Sequence, residues 1–213
     1  MTLLPEIFAR IAANRVLPAA VVPSASQAVP LAQALAEGGL DVMEVAFRNT
    51  EAPEAVRLIR DALPQIGCGA GTLLSVSDLE TAIGCGAQFG LSPGFNPTVI
   101  RAAVAKGFPF IPGVQTAGEM EQALEMGCPW VKFFPAVAAG GVPFLKAVSA
   151  PYDHTDLRII PLGGINPQNM EAYLELDIVP AVGGSWLANA DLLNRGRYDE
   201  IRELAKEIKS SQP

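Results

Sequence analysis

A lone ammonium, Lys132, sits in the run WVKFFPA (130–136) among Trp130, Val131, Phe133 and Phe134. A lysine's free pKa is about 10.4, and full burial can lower it by roughly 3–5 units. Each unit corresponds to about 1.4 kcal/mol, so a strand that keeps a lysine in this company does so at a cost. The usual return is an amine that is neutral at pH 7, able to attack a carbonyl and form a Schiff base. The competing reading is a lysine that snorkels from an edge strand, its stem on apolar surface and its head in water.

Partners for such an amine are found by strand alternation, which sends successive side chains to opposite faces. In DVMEVAF (41–47), Glu44, Ala46 and Arg48 fall on one face, with Met43, Val45 and Phe47 on the other. The apolar set suits a helix-covered side, which directs a carboxylate and a guanidinium inward. Trp130, Lys132 and Phe134 align in the same way, and IGCGAGT (66–72) aligns Cys68, Ala70 and Thr72, ending in a hydroxyl. Each has a plain alternative. Glu44 and Lys132 could form an interior ion pair without a catalytic role, Arg48 could be a solvated loop residue, and Thr72 could cap the helix that starts near Val76. Paired glycines in PLGGIN (161–166) and VGGSW (182–186) each end a strand. Such turns let backbone N–H groups close on an anion, and Ser185 would add a side-chain donor.

The elements that must position these groups alternate along the chain. Strands are expected over 16–22, 41–47, 66–72, 87–93, 108–114, 130–136, 158–164 and 178–184. Helices are expected over 27–37, 53–62, 77–83, 97–106, 117–126, 142–149 and 167–175. Pro97 and Pro167 each follow an asparagine that could cap a helix start. Apolar strands separated by helices imply a parallel sheet covered by helices, and eight of them point to an α/β fold of the closed (β/α)8 (TIM) barrel type. Residues 1–14 read as an extra N-terminal helix packed on a single barrel domain spanning 1–213. In such barrels the active site lies at the C-terminal mouth, often with phosphate bound after strands seven and eight. Glu44, Arg48, Thr72 and Lys132 would converge at that mouth.

Composition narrows the function classes. A net charge of −7 argues against nucleic acid, which normally requires a basic face. It leaves an anionic small molecule open, because local field matters more than total charge. Cys68, Cys85 and Cys128 form no pair at metal spacing, which fits a reducing compartment. Glu6, Arg10 and Arg15 interrupt the first stretch where a signal peptide needs an unbroken apolar core, and Pro18, Pro23 and Pro30 break the uncharged segment that follows. A membrane span is therefore not expected, and the cytoplasm is. The single histidine, His154, reads as a solvated loop residue, which removes a multi-histidine zinc site and a serine–histidine–acid triad.

Taken in order, EVAFRNTEAPEA, GAGTLL, SPGFN, KFFPA, GGIN and GGSW resemble the class I 2-dehydro-3-deoxy-6-phosphogluconate (KDPG) and 4-hydroxy-2-oxoglutarate (KHG) aldolases, from about residue 15 to 205. The resemblance implies a (β/α)8 barrel, typically a homotrimer, acting on a phosphorylated 2-keto acid without metal or organic cofactor. It implies Lys132 as the Schiff-base lysine and Glu44 as the general acid/base. Arg48 and Thr72 would hold the pyruvyl carboxylate, Pro93 and Phe134 would line the pocket, and Gly163, Gly164, Gly184 and Ser185 would form the phosphate end. Two positions depart from the family pattern. Leu162 stands where threonine is common, near the aldehyde-derived half of the substrate, and Ala46-Phe47 replaces a more usual Thr-Leu. Neither touches the lysine or the carboxylate. The choice among KDPG, its galactonate isomer and KHG stays open at this level. So do a phosphosugar isomerase or synthase and a non-catalytic phospho-ligand-binding barrel.

Overall fold

The computed structural model describes residues 5–210. Helix α1 (Glu6–Asn14) leads into β1 (Val16–Ala20). Then follow α2 (Ala28–Glu37), β2 (Val42–Ala46), α3 (Ala52–Ala62), β3 (Gly67–Gly71), α4 (Val76–Gly84), β4 (Gly90–Leu91), α5 (Pro97–Ala105), β5 (Phe110–Ile111) and β6 (Gly113–Val114). The chain continues through α6 (Ala117–Glu125), β7 (Trp130–Phe133), α7 (Gly141–Ser149), β8 (Arg158–Pro161), α8 (Met170–Leu174), β9 (Val182–Gly184), α9 (Ala190–Asn194) and α10 (Tyr198–Ser210). Of the N-terminal helix expected over 1–14, residues 1–4 lie outside the described residues.

This is an α/β fold with a curled parallel sheet. The strands pair in the orders β5-β4-β3-β2-β1-β9 and β6-β7-β8, every pair parallel. Parallel neighbours require crossovers, which the helices supply. Two apolar clusters follow from strand alternation. The larger lies between sheet and helices and takes Met43, Val45, Cys68, Ala70, Val131 and Ile159. The smaller lines the inner face with Leu17, Val42, Phe89, Leu91, Ile111, Trp130, Ile160 and Leu162. Ile7, Phe8 and Ile11 of α1 join this inner set, and Phe8 stacks on Trp130 with ring centroids 4.9 Å apart.

Local chemistry explains where elements differ from the sequence reading. The strand expected over 108–114 is two pieces flanking Pro112, which has no N–H for a ladder. Its carbonyl still accepts from Lys132 N at 2.8 Å, tying the break to β7. The last strand begins at Val182, beyond Pro180, not at 178. Asn96 caps α5 as expected, accepting from Thr98 N. Asn166 instead accepts from Gln168 N within a turn, so Pro167 precedes α8 rather than opening it. Helices α9 and α10 follow the last strand. Gly38 admits α10 against the end of α2, because a Cβ there would overlap Ala205 and lie 2.8 Å from the Arg202 carbonyl oxygen.

Candidate active site

Glu44 and Lys132 come from β2 and β7, strands that do not pair, and they meet across the inner face. Lys132 Nζ lies 3.7 Å from Glu44 Oε1, with the lysine 5% and the glutamate 2% exposed. That separation is an ion pair but exceeds a direct hydrogen bond. Glu44 Oε2 is buried with no hydrogen-bond partner. Beneath the amine, the ring of Phe134 lies 5.2 Å from Nζ, within cation–π reach. The snorkelling alternative for Lys132 is therefore excluded by its burial.

Register places the groups around this pair. Ala46 pairs with Gly71, and Phe47 N donates to Gly71 O at 2.7 Å, so Arg48 and Thr72 follow adjacent strand ends. Arg48 is exposed there. Thr72 has φ 62°, in the left-handed region. A β-branched residue rarely adopts it, and such outliers concentrate at functional sites. Helix α4 is capped by Ser75, whose hydroxyl accepts from Asp78 N, so capping does not explain Thr72.

One assignment needs correction. On β3, Cys68 and Ala70 face the helices, while Gly67, Gly69 and Gly71 present the inner face. A Cβ at Gly69 would overlap the Phe89 ring, and one at Gly71 would overlap the Glu44 carboxylate. The alternating glycines of GCGAG carry a period-two signal for a strand face emptied to admit neighbours. Burial pushes the Cys68 thiol up to about 12, consistent with a packing role.

Pro93 is positioned from below. Ser92, 2% exposed, donates from Oγ to Gly94 O at 2.8 Å and accepts from Gly113 N at 3.3 Å. Gly113 has no side chain to obstruct Pro93, whose backbone a Cβ there would overlap. Ser92 and Gly113 were not among the residues singled out from sequence. At the remaining rim, Gly163 and Gly164 have φ 95° and 83°, and Gly163 packs against Phe134 and Pro135. The backbone N–H groups of Gly163, Gly164 and Ser185 donate to no backbone carbonyl among the described residues. Gly184 lies under the Trp186 ring, and Ser185 is exposed. Leu162 is buried in the inner cluster against Gly183. His154 is exposed in a turn, as expected of a solvated loop residue.

A buried amine beside a carboxylate on the inner face of parallel strands, with backbone donors just past the ends of β8 and β9, fits a lyase of the aldolase class. The model of the family "KDPG and KHG aldolase" matches residues 7–204. The 2-dehydro-3-deoxy-phosphogluconate aldolase of Treponema pallidum is 41% identical over 201 residues, covering 94% of this chain and 95% of that one. The KHG/KDPG aldolase of Escherichia coli is 42% identical over 192 residues, covering 90% and 89%. A crystal structure of KDPG aldolase from Legionella pneumophila, with pyruvate captured as a covalent carbinolamine, superposes with a TM-score of 0.90 at 38% identity, covering 94% of this chain and 96% of that one. This chain belongs to the KDPG and KHG aldolase family.

Proposed function

We propose that this protein cleaves 2-dehydro-3-deoxy-6-phosphogluconate to pyruvate and glyceraldehyde 3-phosphate through a Schiff base on Lys132, and that it also cleaves 4-hydroxy-2-oxoglutarate to pyruvate and glyoxylate. The observation that carries this reading is the buried Lys132–Glu44 pair, 3.7 Å apart on the inner face. Lys132 passes its ammonium proton to Glu44 and attacks the C2 ketone as the free base, and loss of water from the carbinolamine leaves a protonated imine. When the C3–C4 bond breaks, its electrons move into that imine to give an enamine, and the C4 hydroxyl loses its proton to become the aldehyde. Protonation of the enamine at C3 and hydrolysis then release pyruvate. Because the imine is the electron sink, the route calls for no metal or organic cofactor.

Glu44 moves the protons at the carbinolamine and the C4 hydroxyl; a positioned group of this kind contributes on the order of 10²–10⁴-fold. Arg48 grips the pyruvyl carboxylate through its planar fork, and Thr72 adds a hydroxyl donor. Pro93 and Phe134 line the pocket. Gly163, Gly164, Gly184 and Ser185 hold the phosphate with backbone and hydroxyl donors.

The finer architecture belongs to the same reading. We take β5 and β6 as one strand interrupted at Pro112, so that nine segments make the eight strands of a closed (β/α)8 barrel, one domain with α1 over its N-terminal end. The contact from Ile159 N to Ile178 O (2.9 Å) and the inner packing of α1 support this. A homotrimer in the cytoplasm completes it. No described helix is long and apolar enough to cross a membrane.

Steady-state rates on KDPG, its galactonate isomer and KHG, with pyruvate release coupled to lactate dehydrogenase, test the reading. Cleavage of KDPG at least as fast as the other two is expected. A faster galactonate isomer would move the assignment to that substrate, and binding without turnover would leave a non-catalytic barrel.

A further inference from the structure

The Glu44 carboxylate is not held by hydrogen bonds: Oε2 has no partner, and Oε1 lies 3.7 Å from the lysine nitrogen. Beside the ion pair with Lys132, its place depends on the room that the neighbouring strand leaves. In the register of β2 and β3, Glu44 sits opposite Gly69, yet its side chain leans diagonally over Gly71, one step nearer the strand's C-terminal end. A Cβ on Gly71 would overlap Oε1 and Cδ of Glu44 and lie 2.7 Å from Cγ, and the three nearest atoms all belong to that one side chain. The adjacent gap at Gly69 is taken by the Phe89 ring.

Resting on the aldolase reading above, we infer that Gly71 is a positioning residue for the reaction: its missing side chain is the recess that seats the Glu44 carboxylate beside Lys132. A methyl group there would push the carboxylate off its seat. Its φ is not in the left-handed region, so alanine can adopt the backbone, and the effect of substitution is confined to the recess.

The test is a cycle of Gly71→Ala, Glu44→Gln and their combination, read as kcat and KM for KDPG. Gly71→Ala is expected to lower kcat about 100-fold, the scale of a misplacement near 1 Å, with KM little changed. Added to Glu44→Gln it should cost less than threefold, because its effect acts through the carboxylate. A second cycle by thermal unfolding uses Glu44→Ala, which empties the recess: Gly71→Ala should lower Tm in the parent, or prevent folding, and should not lower it in the Glu44→Ala background. The inference is overturned if Gly71→Ala leaves kcat within threefold of the parent, if the kinetic losses multiply, or if the Tm loss is equal in both backgrounds. Full activity of Glu44→Gln would instead overturn the acid–base role of Glu44, while the unfolding cycle still reports on the recess.

Discussion

Among the described residues, Lys132 is the one cation within 4 Å of the Glu44 carboxylate, which is 2% exposed, and Lys132→Met removes it. Two unit charges 3.7 Å apart at an effective dielectric of about 20 interact by roughly 4 kcal/mol. Breaking a buried pair from one side strands the other charge, and such changes cost about 3–5 kcal/mol. At roughly 2–4 °C per kcal/mol for a chain of this length, Lys132→Met should lower Tm by about 6–20 °C. Methionine matches the lysine stem in length and suits the surrounding Trp130, Phe134 and Ile160, so lost packing contributes little. Adding Glu44→Gln removes the stranded charge, and the double variant should recover most of the loss while remaining inactive. A thermal melt reads the Tm and equilibrium urea unfolding the free energy, both at one protein concentration because association shifts apparent stability. A Lys132→Met protein as stable as the parent, or a double variant less stable than either single one, would refute the view that the two side chains form a desolvated pair.

Other substitutions probe the rim. Arg48→Lys keeps the charge but loses the two-pronged geometry, so KM for KDPG should rise roughly 10- to 100-fold with a smaller change in kcat; an unchanged KM would remove Arg48 from the carboxylate clamp. Thr72→Gly relieves a left-handed conformation that costs an L-residue about 1–2 kcal/mol. Its Tm should therefore not fall even as kcat/KM drops, and a large loss of Tm would mean that the hydroxyl is structural. Burial pushes the Cys68 thiol up to about 12 and that of Cys128 to about 11. At pH 8 only about one thiol in 10³–10⁴ would be ionised at these sites, so native protein should react with a thiol-specific dye at Cys85 alone. Because the unfolded chain gives up these protons near pH 9 while the folded chain keeps them, stability is full below pH 9 and is lost toward pH 12. Denaturation midpoints that rise over that interval would contradict this.

Much of the site was legible because strand alternation is strict. Glu44, Lys132 and Phe134 reach the inner face for the same reason that Met43, Val45 and Val131 reach the helices. Strand β3 is harder to read, because its inner face carries no side chain to set the parity. Strict alternation puts Thr72 on one face with Cys68 and Ala70, whereas its positive φ takes it out of regular strand geometry and the inner face belongs to glycine. Pro112 and Pro180 shortened strands that hydrophobicity alone extended. The supports of the site were the least visible. Ser92 and Gly113 matter through a bond across 21 residues, and Gly71 matters through an atom it lacks. Neither signal exists until the neighbours are known.

Trapping of the imine addresses the chemistry most directly. Incubation with pyruvate and sodium borohydride, followed by peptide mass spectrometry, should find a reduced pyruvyl adduct on Lys132 and on no other lysine. It should be absent from Lys132→Met and retained, though formed more slowly, in Glu44→Gln. An adduct confined to another lysine, or none at all from a protein that still turns over KDPG, would contradict the assignment of the nucleophile and with it the proposed mechanism.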